Sequence, residues 1–486
     1  MVKNRSKGMK FISVILGAIV CGFMWRCRGE GGFGSSWGLY SVGLVMMLLI
    51  YHFYSDRKGM KYEMIPFGAL MLGLSVTGYA TVIEQLAGVV WSDLPYSGKM
   101  INGLSPVLTM PEGDVYAPIN PVSGAVIIFL MSITLIPLFS FFVTSLFSDK
   151  EYKIRHYVIA IAVFYISSLI FKASISHLII KAINPDQVQY AFMGLKESGY
   201  DFSSPMQAYM SHFLDRRWTQ EIPFFENYYM SIEHISDALA VLVLSGYALI
   251  FRKDKYTGFG SIILDVLTGA ASTVLTPLIS CRFNSGFFEG VTIPNWFLKI
   301  ASWGVWEYAT GFFIGFFIML FLALTADKHS ICCGDDDTPL FADRKLSFGF
   351  NFVLTVFIFG VTPARAISIR FARLLEKKEI LPDDEPLATI IIVILSIIFG
   401  IFMIKLFSKN ILKDGSNAYD MLPYDFAKKA LPAYLVMCFI VYFFLDDLDI
   451  LYIKEDVTVP LMLISSALIA VIYSAVRMAM KKREKV

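Results

Sequence analysis

The sequence predicts an all-α, polytopic integral membrane protein with about 12 transmembrane helices and both termini cytoplasmic. Three observations predict it. Charged residues are only 17% of the 486 residues and hydrophobic ones 56%, whereas a soluble domain carries about 25% charged residues. Mean hydropathy is +0.61, and the apolar residues come in blocks, many reaching the about 20 residues that cross a bilayer. Basic and acidic residues also fall in alternate connecting segments, as the positive-inside bias requires.

Taken in order, the expected spans are 11–25, 38–54, 65–87, 121–147, 156–180, 235–251, 257–280, 296–325, 347–371, 387–407, 430–445 and 458–476. Lys3, Arg5, Lys7 and Lys10 precede the first apolar run, but no small-x-small cleavage site follows it, so the run reads as a span and not as a removed signal. Spans 1 and 2 are short and have a second reading as a re-entrant pair. With the N-terminus inside, inner segments hold 25 Lys/Arg against 14 Asp/Glu and outer segments 12 against 22, which fixes the expected orientation. The whole chain, 1–486, reads as one transmembrane domain in the plasma (cytoplasmic, inner) membrane. Its elaboration is on the outer side: segment 88–120 is rich in Gly and Pro, and the long extracytoplasmic loop 181–234 has the composition of short surface helices. The six cysteines form no disulfide framework or zinc-ligand spacing, and no cofactor or metal is implied.

The stretch Trp25–Trp37 holds two arginines, one glutamate and four glycines between spans 1 and 2, with almost no loop to turn in. Irregular backbone at membrane depth is tolerated only against protein or a water-filled cavity. Arg26, Arg28 and Glu30 therefore read as the rim of a polar cavity; the plainer reading is a tight turn with its arginines at lipid headgroups. Ionisable residues within or beside other spans are site candidates on the same ground. Glu84 lies near the outer end of span 3, Lys172 and His177 in the outer half of span 5, and His234 and Asp237 at the start of span 6. Asp265 lies in span 7, Glu307 close to mid-membrane in span 8, and Arg365 and Arg370 in span 9; Arg282 follows span 7.

Guanidinium forks suit carboxylate and phosphate, so Arg26, Arg28, Arg282 and Arg365, with Glu30, form the expected substrate-binding set. Glu307, Asp265, Glu84, His234, Asp237 and His177 form the expected proton-coupling or general-base set. Arg365 is the expected partner of Glu307, and Gly304, Gly311 and Gly315 are small enough to admit a neighbouring helix. His234 and Asp237 share a helical face, but a helix N-terminus capped by Ser236 or Asp237 explains them equally well. His177, His234, Asp237 and Glu84 are metal-ligand types whose spacing demands no metal.

The inner loop Ser55-Asp56-Arg57-Lys58-Gly59-Met60-Lys61 resembles the Asp-Arg-x-Gly-x-Arg/Lys loop motif of the major facilitator superfamily, and Ala342-Asp343-Arg344-Lys345 stands where that family repeats it. The resemblance implies a twelve-span transporter. The sequence departs from the pattern at His52, where a glycine is expected, in the glycine missing from the second copy, and in the short 252–256 connection.

No Walker A, HExxH or GxSxG pattern is present, which removes ATP-driven, zincin and nucleophile-elbow chemistry, and no basic-aromatic surface points to nucleic acid. Two functions remain. The first is a secondary (ion-coupled) transporter of a small anionic solute with an outward-biased polar cavity. The alternative is an integral membrane transferase with an extracytoplasmic active site acting on a lipid-linked or phospholipid substrate; no residue pattern names its nucleophile, so enzyme status stays open. The lipid bilayer is the expected partner in both. Substrate and oligomeric state are not written in the sequence.

Overall fold

The computed structural model describes residues 6–29, 35–54, 64–75, 126, 129–213, 218, 222, 225–283, 303–326, 349, 353–354, 356–358, 360, 385–407, 423–444 and 458–484. Every regular element among them is helical. Among the described residues, seven stretches are long and apolar enough to cross a membrane: Lys7–Arg28, Phe129–Leu146, Ile154–Lys172, Tyr228–Phe251, Lys255–Leu275, Gly304–Thr325 and Thr458–Ala479. Gly38–Tyr54, Met64–Ser75, Val393–Phe402 and Lys429–Phe443 are shorter apolar helices. Each falls on an expected span; span 347–371 lies mostly outside the described residues.

The chain divides into two units. Unit 1 comprises Met1–Thr77, Leu138–Tyr157 and Glu307–Val486. Its helices are α1 (Lys7–Gly29), α2 (Ser35–Tyr54), α3 (Met64–Ser75), α4 (Pro137–Leu146, from Leu138), the start of α5 (Ile154–Lys172), α11 (Trp303–Thr325, from Glu307), α12 (Glu385–Phe407), α13 (Pro423–Phe444) and α14 (Thr458–Glu484). Helix α2 is apolar on every side, and Leu44 through Tyr51 have no exposed surface, as expected of a helix enclosed by others. Small residues set its neighbours: a Cβ at Gly43 would meet the Ala69 Cα of α3 at 2.9 Å. Ser75, in the last turn of α3, accepts from the backbone N–H groups of Leu138 (3.0 Å) and Phe139 (3.1 Å), satisfying two of the four donors that a helix start leaves open.

Helices α1 and α11 pack antiparallel. Cys21 and Trp25 of α1 lie against Gly311, and Gly17 and Cys21 against Gly315. Hydroxyl pairs tie further elements together: Ser13 Oγ with Tyr54 Oη at 2.7 Å, Tyr308 Oη with Ser465 Oγ at 2.7 Å, and Ser41 Oγ with Tyr434 Oη. Apolar burial alone discriminates poorly between helix faces when the solvent is hydrocarbon, so close packing and interhelical hydrogen bonds carry the register.

Unit 2 comprises Gly78–Pro137 and Val158–Trp306. It holds α5 from Val158, α6 (Ser176–Ile183), α7 (Pro185–Glu197), α8 (Pro205–Ser211), α9 (Phe225–Gly246) and α10 (Lys255–Phe283). The 181–234 segment does contain short helices, and their starts are written locally. Asn184 Oδ1 accepts from Gln187 N with Pro185 in the first turn, and Ser204 Oγ accepts from Gln207 N with Pro205 likewise. A π-helical turn, Tyr247–Phe251, follows α9. Lys253 then takes the left-handed conformation (φ 52°), and Asp254 caps α10 through Thr257 N at 3.1 Å.

Two expected boundaries change. The expected span 156–180 is not one helix: α5 stops at Lys172, and residues 173–175 turn before α6. Ser174 Oγ bonds back to Ile170 O at 2.5 Å there, a local alternative to helix continuation. The span expected to open at 235 belongs to a helix that starts at Phe225. His234 and Asp237 therefore lie several turns inside α9, and the helix-start explanation of that pair is withdrawn.

Candidate functional site

Among the described residues, two groups of charged side chains are paired inside the helices, one in each unit. In unit 1, Arg26 and Arg28 occupy the last turn of α1, where the helix dipole favours cations. Glu307 lies near the start of α11, where it favours anions. Antiparallel packing brings these ends together. Arg26 Nη1 donates to Glu307 Oε2 at 2.7 Å, and Arg28 Nη2 lies 3.9 Å from Oε1, so each carboxylate oxygen faces its own arginine. The Arg28 guanidinium sits 4.8 Å above the Trp25 ring, a cation–π contact. All three charged side chains are buried, Arg26 at 1%, Arg28 at 2% and Glu307 at 6% exposure. A Cβ at Gly38 would meet Arg28 Cβ at 2.6 Å, so α2 also closes on this arginine.

This arrangement is a carboxylate cradle. Among the described residues the partner of Glu307 is Arg26, with Arg28 second; the pairing expected with Arg365 falls outside them. Arg365, Glu30 and Glu84 lie outside the described residues. Arg282 is in the final turn of α10, and only its backbone is described.

In unit 2, two residues of α5 face two of α9, each pair four apart and so on one helical face. Lys172 Nζ donates to Glu233 Oε2 at 2.5 Å, and Ser168 Oγ donates to Asp237 Oδ1 at 2.5 Å. Tyr209 of α8 donates to Glu233 Oε1 at 2.7 Å. Both oxygens of Glu233 are thus engaged. Asp237 feels the Lys172 ammonium electrostatically but is hydrogen-bonded through Ser168. One lysine serves two carboxylates. Beyond this ladder Ser176 pairs with Ser236 at 2.7 Å, and His177 Nδ1 with Tyr228 Oη at 2.7 Å.

His177 lies on α6, beyond the end of α5, and burial pushes its imidazole pKa below the ordinary histidine range. Burial, with the Glu233 charge second, pushes the Tyr209 hydroxyl far up, so it stays a donor. His234 (3% exposed) is buried on α9 and Asp265 (1%) on α10. Among the described residues no three His, Cys, Asp or Glu side chains come together as a metal site.

Glu233, Ser168, Tyr209 and Trp25 were not site candidates from sequence. Glu233 fell in the expected 181–234 loop because the span was started at 235. The signal was present: Glu233 and Asp237 at i, i+4, and Ser168 and Lys172 at i, i+4, on two apolar runs.

No match is found. Neither a protein-family model, a curated protein nor a solved structure is similar to this chain. The likeness to the major facilitator loops stays confined to two short segments, both outside the described residues.

The ladder yields a direct prediction. Lys172→Met leaves Glu233 and Asp237 facing each other without their cation. The melting midpoint in detergent should fall. The loss should stay below the about 3–5 kcal/mol of a fully buried broken pair, because the Lys172 and Glu233 side chains keep 14% and 22% exposure. Adding Glu233→Gln should restore most of it. A midpoint unchanged by Lys172→Met would mean that the ladder carries no net interaction.

Proposed function

We propose that this chain is a secondary, ion-coupled transporter of a small anionic solute. It would have about 12 spans, both termini cytoplasmic, in the plasma membrane. The observation that carries the reading is Glu307 seated between Arg26 and Arg28 where two glycine-packed helices meet. A site that accommodates an internal carboxylate has the charge and donor geometry to accommodate a solute carboxylate or phosphate. Exchange follows naturally. Protonated Glu307 no longer holds its arginines, the solute anion takes its place, and the proton and the anion then move together. Release reverses the order.

The Lys172–Glu233–Asp237 ladder supports the same reading. Glu233 accepts from two donors, Lys172 and Tyr209, whereas Asp237 accepts from Ser168, and Asp237 is the carboxylate we assign to proton exchange. Removing a charged group from a low-dielectric site without its partner is costly, and this ties each protonation to a change in what the site holds.

The test is access to Thr310, buried at 1% exposure and one turn from Glu307. With the six native cysteines replaced, Thr310→Cys is labelled with an impermeant thiol reagent in right-side-out and inverted vesicles. Labelling from both sides is expected, together with proton-dependent anion uptake that Glu307→Gln uncouples from pH. Labelling from one side alone would overturn alternating access and favour the extracytoplasmic transferase acting on a lipid-linked or phospholipid substrate. Labelling from neither side would make Glu307 a structural residue.

A further inference from the structure

The ladder in unit 2 receives a donor from outside the two helices that form it. Glu233 and Asp237 stand four apart on α9, and the Lys172 ammonium acts electrostatically on both. Each also accepts one hydrogen bond from α5 at 2.5 Å, Glu233 from Lys172 Nζ and Asp237 from Ser168 Oγ. Carboxylates coupled in this way share a proton, which settles on the anion that gives up less hydrogen bonding. Tyr209 Oη donates to Glu233 Oε1 at 2.7 Å and so weights that balance toward Asp237.

Tyr209 is held in place for this contact. It belongs to α8, a helix of seven residues. The start of α8 is closed by its own neighbours: Ser204 Oγ accepts from Gln207 N at 3.2 Å, and Gln207 Oε1 accepts from Ser203 N at 2.7 Å and Ser203 Oγ at 2.8 Å, much as in a capping box. Met206 and Met210 are on its exposed side, whereas Tyr209 has no exposed surface. The Tyr209 ring meets His177 of α6 edge-on (centroids 5.1 Å apart), Tyr229 of α9 at 5.2 Å and Phe213 edge-on at 5.7 Å. These rings restrict its rotation and leave Oη aimed at Glu233. Burial, with the Glu233 charge second, keeps the hydroxyl protonated. Among the described residues, the titratable groups presented to the ladder are Lys172 from α5, His177 from α6 and Tyr209 from α8. On α9 itself stand Tyr228, Tyr229 and His234. Helix α7 meets α9 through the neutral Gln187, whose Oε1 accepts from Ser231 Oγ at 3.1 Å, and α10 carries the buried Asp265. The charges acting on Asp237 are those of Lys172 and Glu233.

We infer that Tyr209 is a positioning residue that directs the exchangeable proton of unit 2 to Asp237 by holding Glu233 as an anion. Asp237 takes the proton from water and becomes neutral, and the ladder is left with one ammonium and one carboxylate. Tyr209 acts through Glu233 and does not touch the group that is protonated. The inference rests on the assignment of Asp237 to proton exchange, and it places control of that exchange on α8, a helix too short to cross a membrane.

The test is acid-minus-neutral difference infrared spectroscopy of the full chain in nanodiscs, with the side-chain carboxyl carbon of aspartate isotopically labelled so that aspartic and glutamic acid bands separate. The wild type should show a protonated-carboxyl band that moves with the label and is lost in Asp237→Asn. Tyr209→Phe keeps the ring and deletes the donor. It should add a second band, unmoved by the label and lost in Tyr209→Phe/Glu233→Gln, because losing a hydrogen bond to a charged group changes the partition of the proton by about tenfold or more. Tyr209→Met carries the same expectation where Tyr209→Phe does not fold. A Tyr209→Phe spectrum identical to the wild type, with the Asp237 band present in both, would overturn the inference and leave Tyr209 as packing. A wild-type band that already belongs to Glu233 would overturn it as well. A wild type with no band that Asp237→Asn removes would overturn both the inference and the assignment of Asp237 beneath it.

Discussion

Replacing Arg26 with leucine is expected to be among the most damaging single changes in unit 1. The variant removes the 2.7 Å donor to Glu307 and leaves a carboxylate of 6% exposure beside an apolar side chain. Breaking one side of a buried pair costs about 3–5 kcal/mol, mostly from the charge left behind. Arg28, 3.9 Å from the other oxygen, is positioned to take up part of the load, so the loss should fall at the lower end of that range. The melting midpoint in detergent measures it. The double variant Arg26→Leu/Glu307→Leu removes the orphaned carboxylate but also takes the Glu307 charge from buried Arg28, so it should recover part of the loss. If the double variant is no better than the single, the pair is not the cause. Arg28→Leu should cost less, because it gives up mainly the longer contact and the Trp25 face.

Gly315→Leu is expected to have an effect of similar or greater size by a different route. A Cβ at Gly315 already meets Cys21 Cβ at 2.5 Å and the Gly17 carbonyl carbon at 2.9 Å, and the remaining atoms of leucine have no space. Both obstacles belong to the body of α1 and cannot rotate away. The helices must separate or slide, and sliding uncouples Arg26 from Glu307. Overpacking costs about 1–3 kcal/mol where neighbours can shift, and loss of the ion pair adds to that. Gly246 is the control: nothing lies within 4 Å of a Cβ there, and its backbone is right-handed helical (φ −56°, ψ −38°) at the junction of α9 with the π-helical turn. Gly246→Ala should therefore be neutral or stabilise by about 0.5–1 kcal/mol through the helix preference of alanine. Equal damage at both sites, read as detergent melting midpoints, would refute the packing argument.

Much of the architecture was legible before any coordinates. The apolar blocks mark most spans because a bilayer demands length and hydrophobicity together. Gly311 and Gly315 were identifiable as close-packing positions because few residues other than glycine let backbones approach so nearly. Arg26, Arg28 and Glu307 were identifiable as candidates because a charge at that depth needs a reason. Their pairing was not. Residues 26 and 307 meet through tertiary packing, which one sequence does not encode as a pattern, and Arg365 seemed equally suitable. The ladder was missed through a boundary. An apolar window opens at 235 because Glu233 and His234 depress hydropathy, yet the helix runs back to Phe225 since its polar residues have partners in unit 2. The break after Lys172 was invisible for the opposite reason: Ala173, Ser174 and Ile175 contain neither Gly nor Pro.

The cradle around Glu307 also has a consequence for affinity. A carboxylate fixed to the same scaffold as its two arginines behaves as a tethered competitor. Its effective concentration is set by geometry and not by the medium, and groups joined by short connections commonly reach the millimolar range. Any anion arriving from solution would bind with its intrinsic affinity multiplied by the small fraction of time the cradle is vacant. The chain would thus answer to changes in anion supply only above a threshold, and Glu307 would set where that threshold lies.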